Sequence, residues 1–187
     1  MSRPAPTRPD SWTSLSRRQL ATRVRARLSA LLIAALFAAQ AAALEPGDVA
    51  PAFEAPGVRG GVVALDAHRG KVVYLDFWAS WCGPCAQALP AIERLRAEFP
   101  AEHFQVLAVN VDHEASLAKR FLARRPVGYP SALDPKGDIP GRYGVATMPT
   151  SFLIDRRGVV RHVHEGFREE DVAALRERIQ ELMAAGR

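Results

Sequence analysis

The stretch Trp81-Cys82-Gly83-Pro84-Cys85 contains both cysteines of the 187-residue chain, separated by two residues. It follows the apolar run Val72–Trp78 and precedes a segment whose apolar residues recur at helical spacing. A cysteine at the start of a helix lies near backbone N–H groups that have no helical partner, and these groups favour its thiolate form. Because the thiolate is the species that attacks a disulfide, the stretch predicts thiol–disulfide exchange.

The chain from Leu44 onward shows alternating strand and helix patterns, with no repeat and no second linker. Two nearly continuous apolar runs, 72–78 and 104–111, predict buried strands, and the helix between them, which includes Pro90, predicts that they are parallel. A turn sequence at 155–158 predicts an antiparallel hairpin from strands 150–154 and 159–165. The shorter predicted elements are a strand at 62–65, a helix at 114–125, a strand at 129–133, a helical turn at 138–143 and a closing helix with apolar residues at 172, 175, 179 and 182.

These elements predict one α/β domain over residues 44–187, with a mixed central β-sheet and helices on both faces.

Residues 1–43 instead predict an export signal. A basic region rich in Arg, Pro and Ser precedes the apolar run Leu28–Ala39, which is too short to span a bilayer comfortably, and Ala41-Ala42-Ala43 follows as a small-residue cleavage site. An uncleaved N-terminal anchor and a twin-arginine signal at Arg17-Arg18 stay open as alternatives. Either route places the domain in the periplasm.

The charge pattern gives no support to a nucleic-acid partner. The chain has a formal net charge of +5, but residues 1–43 carry seven arginines and one acid. The remaining part, 44–187, has 18 basic and 19 acidic residues and is close to neutral. The basic character therefore belongs to the predicted signal, and no basic patch for phosphates is expected in the domain.

The segment Asp76-Phe77-Trp78-Ala79-Ser80 leading into the cysteine pair, together with Met148-Pro149-Thr150, resembles the thioredoxin superfamily. The opening segment at 46–53, the Gly70-Lys71 lead-in, the helix at 114–125 and the export signal are similar to its exported TlpA/ResA-like branch. The resemblance covers about residues 45–185. It implies a thioredoxin fold and a thiol-disulfide oxidoreductase.

The chemistry of such an exchange assigns a role to each side chain at the motif. Cys82, at the exposed N-terminus of the helix, is the expected nucleophile. Cys85, one turn deeper, is the expected resolving thiol that closes the redox-active disulfide. Asp76, buried on the preceding strand, is expected to have a raised pKa and to take the proton from Cys85. Trp81 offers an apolar rim for substrate. The resemblance implies that Pro149 is a cis-proline packed against the sulfurs, and that the backbone of Met148 pairs with substrate.

Two positions depart from the pattern of the relatives. Ala88 stands where TlpA/ResA-like proteins often carry Glu, and Ala108 stands where thioredoxin often carries Lys on the central strand. Proton transfer is therefore expected to fall to Asp76 alone.

His162 and His164 alternate on one strand face, which suggests a metal pair. Two ligands without a third favour a solvated face instead, and no metal or other cofactor is expected.

The Gly-Pro dipeptide between the cysteines is that of the reducing thioredoxins, whose reduction potential is about −270 mV, against about −120 mV for the periplasmic oxidant. We therefore expect an exported reductase that acts on disulfides of client proteins, for example in cytochrome c or copper-site maturation, and that draws electrons from a membrane thiol donor. A disulfide-introducing oxidant, a peroxiredoxin-like peroxidase and a redox-inert binding module are the alternatives. Ala79 replaces the Thr that a peroxidase usually carries three residues before its reactive cysteine. Ala86 likewise replaces the His that haem attachment requires.

Overall fold

Residues 43–185 are the part of the chain that the computed structural model describes, and they contain seven strands and four α-helices. The predicted export signal at 1–43 thus lies outside the described residues, except for its last position. The strands are β1 (Glu54–Pro56), β2 (Val62–Ala64), β3 (Val72–Trp78), β4 (Phe104–Asn110), β5 (Ser131–Leu133), β6 (Thr150–Ile154) and β7 (Val160–Glu165). The helices are α1 (Gly83–Ala97), α2 (Ala115–Arg124), α3 (Asp138–Tyr143) and α4 (Asp171–Ala184).

A five-stranded mixed sheet in the order β5-β4-β3-β6-β7 forms the centre of the fold. The seven residues of β3 are all buried, as the uninterrupted apolar run predicts for a strand that is covered on both faces. Strand β4 pairs with β3 in parallel, whereas β6 pairs with β3 antiparallel and forms the predicted hairpin with β7. The α/β fold with a mixed sheet is therefore confirmed.

The two faces of the sheet carry separate apolar clusters, because side chains alternate along each strand. Tyr74 and Trp78 of β3 point to the face where Leu89 and Ile92 of α1 pack, together with residues of α2 and α4. We call this the α1 face. The neighbouring residues of β3, such as Phe77, point to the opposite face and pack with α3 and the β1–β2 hairpin. Since Asp76 lies between Phe77 and Leu75 in the alternation, its carboxyl group belongs to the α1 face.

Most predicted elements occur within one or two residues of their predicted bounds. The exception is β1, which lies in the turn-rich segment for which no strand was predicted. It forms because Glu54–Pro56 pairs antiparallel with β2 as a separate two-stranded sheet. Helix α1 continues through Pro90, as predicted. Within residues 43–185, no helix combines the length and the apolar character needed to cross a membrane.

Candidate active site

Cys82 and Cys85 are joined by a disulfide at the N-terminus of α1, with an S–S distance of 2.06 Å. Cys82 is the N-cap residue of this helix, and its Sγ accepts a hydrogen bond from the backbone N–H of Cys85 at 3.2 Å. Pro84 occupies the first turn, where a missing N–H costs nothing, and this turn has no acidic residue. The positive end of the helix dipole therefore acts on the Cys82 sulfur without an opposing carboxylate nearby in the same turn.

Cys82 and Cys85 are both buried, although the sequence predicts that only Cys85 is. Cys82, predicted to be exposed at the helix start, is only 5% exposed in the disulfide form, and Cys85 is fully buried. The prediction that Cys82 is exposed was wrong, because both cysteines belong to a buried apolar cluster that includes the distant Val58, with Met148 packed against it. Trp81 is 68% exposed, as a rim residue should be.

A buried carboxylate that the sequence analysis did not identify fixes the loop between β3 and Cys82. Both carboxylate oxygens of Asp112 accept the backbone N–H of Ser80, at 3.1 and 3.2 Å, and Oδ1 also accepts the Ser80 hydroxyl at 3.0 Å. Asn110 Nδ2 donates to Oδ2 at 2.9 Å. Asn110 and Asp112 are polar residues at the carboxyl end of a buried strand, which is the signal that would have identified them.

Asp76 lies at the middle of β3, where it is 1% exposed. Burial raises the pKa of its carboxyl group from 3.8 to about 8, because the charged form loses its hydration and gains no compensating cation. Its Oδ2 has no hydrogen-bond partner among the described residues. A carboxyl group in such a site is mostly protonated at pH 7 and can accept or release a proton in the range where thiols titrate.

The side chains that surround Asp76 explain its isolation. Ala108 is its direct neighbour on β4 and is fully buried, and Ala88 on α1 is also buried, so the two positions where relatives often carry a charge are apolar here. Two buried tyrosines lie within electrostatic range. Burial together with the nearby Asp76 raises the pKa of both Tyr74 and Tyr129 well above the usual value, and both stay neutral.

The peptide bond between Met148 and Pro149 is cis, as the resemblance implies. The backbone N–H and C=O of Met148 make no hydrogen bond with any part of 43–185, whereas the carbonyl of Pro149 accepts the N–H of Gly166 at 2.7 Å. Met148 and Trp81 line one open depression of about 490 Å³, together with residues 145–147. The structure thus brings Trp81 and Met148, two of the residues predicted to contact substrate, to one depression next to Cys82 in the chain.

The histidine pair on β7 does not face open solvent. His162 and His164 are half-buried, with ring centroids 6.2 Å apart, and they line a cavity between β7 and α4. His164 Nε2 lies 3.3 Å from Asp171 Oδ2. The predicted solvated face is therefore wrong, because α4 packs over this strand. Within the described residues, no cluster of three or more His, Cys, Asp or Glu side chains could hold a metal ion.

A thioredoxin fold with a Cys-x-x-Cys disulfide at a helix N-terminus defines the class of this protein as a thiol-disulfide oxidoreductase. Its family follows from a comparison with known families. Residues 46–163 match the model of the AhpC/TSA family, and the chain belongs to that family.

Individual relatives confirm the predicted ResA-type character. The thiol-disulfide oxidoreductase ResA of Geobacillus thermodenitrificans is 33% identical over 150 residues, which cover 76% of this chain and 86% of that protein. A solved structure from Chlorobium tepidum, described as a thiol:disulfide interchange protein DsbE, is 50% identical, has a TM-score of 0.72 and covers 75% of this chain and 99% of its own. The exposed lipoprotein thioredoxin Etrx1 of Streptococcus pneumoniae is 32% identical with a TM-score of 0.62, over 71% and 100% of the two chains.

Proposed function

We propose that this protein is an exported reductase that passes an electron pair from Cys82 and Cys85 to disulfides of client proteins. The observation that carries the exchange chemistry is the position of the Cys82 sulfur. It caps a helix whose first turn has no acid, it accepts the Cys85 N–H, and it lies next to an open apolar depression. Such a site lowers the pKa of a thiol and so supplies the thiolate nucleophile that the exchange requires. The direction of transfer is supported by the Gly83-Pro84 dipeptide between the cysteines, which is that of the reducing thioredoxins.

The exchange takes place in two displacements. The Cys82 thiolate attacks one sulfur of the client disulfide, so that a mixed disulfide forms and the first client thiolate leaves. Cys85 then gives its proton to the Asp76 carboxylate and attacks Cys82. The second client thiolate leaves, and the two cysteines end as the intramolecular disulfide. Two electrons reach the client, and each client thiolate takes a proton from solvent.

The depression beside the cysteines suits an extended client segment. The free N–H and C=O of Met148 can pair with the backbone of such a segment as an added strand, and the exposed Trp81 supplies apolar contact on the other side. Affinity then comes mainly from backbone pairing, which allows different client sequences.

The site of action that we propose is the periplasm. Support comes from the predicted export signal at 1–43, and from a relative that is described as an exposed lipoprotein. In an oxidising compartment the disulfide must be reduced again after each turnover, so the proposal requires a membrane thiol donor. The membrane itself is a partner only if the N-terminal segment stays uncleaved. We expect clients among proteins whose cysteines must be reduced before cofactor insertion, such as cytochrome c or copper-site proteins.

The test uses the variant Cys85→Ala, which cannot resolve the mixed disulfide. With a defined disulfide-bonded peptide as client, this variant should accumulate a covalent adduct that dithiothreitol releases, whereas the wild-type protein should release reduced peptide. The matched control is Cys82→Ala, which keeps the deeper thiol and should form no adduct. Equal adduct formation by both variants would contradict the assignment of Cys82 as nucleophile. Reduction of hydrogen peroxide faster than of the peptide would instead favour the peroxidase alternative.

A further inference from the structure

A row of polar side chains crosses the α1 face of the sheet, starting at Asp76. Asp76 on β3 is directly opposite Ser151 on β6, and Ser151 is directly opposite His164 on β7. The Nε2 atom of His164 then lies 3.3 Å from Oδ2 of Asp171 on α4. Side chains directly opposite one another share a face and have Cβ atoms about 5 Å apart, so the four residues form one line through an otherwise apolar layer.

Tyr74 connects this row to the cavity between β7 and α4. Its hydroxyl makes a buried hydrogen bond of 2.7 Å with Ser151 Oγ, and its side chain lines the cavity, which has a volume of about 310 Å³. His164 and Asp171 line the same cavity from the other side. Both partners in the Tyr74–Ser151 contact are hydroxyl groups, each of which can donate and accept, so the bond can be made in either direction.

The row leads from Asp76 toward the cavity and not toward the opposite edge of the sheet. On that other side, the direct neighbour of Asp76 is Ala108, and only beyond it comes Ser131, whose Oγ accepts the Trp78 Nε1 proton at 3.0 Å. Along the strands in that direction, the methyl group of Ala108 therefore separates Asp76 from the nearest serine. Ser151, directly opposite Asp76 on β6, carries the hydroxyl on this side. The described residues show no hydrogen bond between the two side chains, so transfer between them takes one rotamer change or one bridging water.

We propose that Ser151 and Tyr74 carry protons between Asp76 and the cavity under α4. When Asp76 loses its proton, its O–H bond breaks and Ser151 Oγ takes the proton. Ser151 passes its own proton to the Tyr74 oxygen, and Tyr74 passes its proton to water in the cavity, beside His164 and Asp171. Both hydroxyls end neutral. The inference deepens the proposed function and rests on the role of Asp76 there. Ser151 and Tyr74 are positioning residues because they act through Asp76.

The reaction at the cysteines requires that Asp76 first lose its own proton. The raised pKa of Asp76 leaves about nine in ten carboxyl groups protonated at pH 7, and only the ionised group can accept the Cys85 proton. A carboxyl group that is 1% exposed needs a route by which its first proton leaves.

Several titratable or charged groups surround the row and contribute to its pH dependence. They are Tyr74 on β3, Cys85 on α1, Tyr129 before β5, His162 and His164 on β7, Arg168 before α4, and Asp171 and Arg178 on α4.

The experiment mixes the reduced full-length protein with one equivalent of dithiobis(nitrobenzoate), whose two released thiolates are followed by visible absorbance. The first release reports attack by Cys82, and the second reports attack by Cys85 on the mixed disulfide. For Ser151→Ala at pH 7 we expect an unchanged first release and a fast second release in only about one tenth of the molecules, the fraction already ionised at Asp76. At pH 9 the deficit should disappear, because Asp76 is ionised before mixing.

Three further variants separate a proton path from a packing role. Ser131→Ala is the matched control, since it also removes a buried serine hydroxyl that accepts a hydrogen bond from an aromatic side chain, and it should behave as wild type. Ser151→Thr keeps the hydroxyl and should retain the fast second release. Tyr74→Phe should reproduce the deficit of Ser151→Ala and serves as the test if that variant does not fold.

Two results would overturn the proton path. A deficit in the fast second release that is equal at pH 7 and pH 9 would show that Ser151 acts through packing alone. Equal behaviour of Ser151→Ala and Ser131→Ala would show that the Ser151 hydroxyl does not carry protons from Asp76. Failure of the proposed function would be recognised by a different result, because the wild-type protein itself would then lack the first or the second thiolate release.

Discussion

Replacement of Asp76 by Asn should change how the stability of the oxidised protein depends on pH. The folded protein holds this carboxyl group protonated up to about pH 8, whereas the unfolded chain ionises it near pH 3.8. Between these values the native state binds the proton and the unfolded state does not. The protonated carboxyl group therefore contributes stability that is fully present below pH 3.8 and is lost progressively as the pH rises toward 8.

The magnitude follows from the linkage of proton binding to folding. One proton bound only by the native state lowers the free energy of unfolding by about 1.4 kcal/mol for each pH unit. The window from pH 5 to pH 7 lies well inside the two limits. Across it, the wild-type protein should lose roughly 3 kcal/mol relative to Asp76→Asn, which has no group to ionise at this position.

The assay is urea unfolding of both oxidised proteins at pH 5, 6 and 7, followed by circular dichroism or tryptophan fluorescence. The comparison at each pH cancels the contribution of other groups, such as His68 and His162, whose pKa values burial lowers. Asp76→Ala is a second variant that, unlike Asp76→Asn, leaves a cavity but should give the same difference in slope. Parallel curves for wild type and both variants would refute the reasoning, since Asp76 would then be ionised in the native state.

Other substitutions test the remaining parts of the site. Asp112→Ala should destabilise the protein by about 2 kcal/mol or more in thermal unfolding, since the part-buried Ser80 N–H and the buried Asn110 amide lose their acceptor; an unchanged melting temperature would contradict this role. Trp81→Ala should raise KM for a disulfide-bonded peptide while the rate with a small aromatic disulfide stays the same, and a fall of both rates would mean that Trp81 supports the cysteines instead. Ala88→Glu should destabilise the oxidised protein by about 3 kcal/mol or more at pH 7, because it buries a charge without a partner, and a stability equal to wild type would show that the helix can turn this position to solvent.

The sequence predicted those features of the fold that depend on local patterns. The run Val72–Trp78 is apolar throughout, and the structure buries it on both faces. The turn sequence at 155–158 predicted the hairpin, and the spacing of Cys82 and Cys85 predicted their disulfide at the start of a helix. In each case the deciding contacts lie within a few residues of one another.

The features that the sequence left undetermined depend on pairing between distant segments. The opening segment contains prolines and was predicted as turns, but Glu54–Pro56 becomes a strand because β2 offers it an edge. Asp112, which binds Ser80, follows β4, and Ser151, directly opposite Asp76, lies on β6, so neither could be assigned without the register of the sheet. His164 was assigned to solvent for the same reason, since only the packing of α4 encloses it.

The reduction potential of the Cys82–Cys85 pair, measured by equilibration of the chain from Leu44 onward against glutathione or dithiothreitol buffers, tests the central claim most directly. A reductant that transfers electrons to client disulfides should have a potential near that of thioredoxin, about −270 mV. Every 30 mV corresponds to about 1.4 kcal/mol, so the competing functions are well separated on this scale. A potential near about −120 mV would contradict the account, because the same two sulfurs would then introduce disulfides.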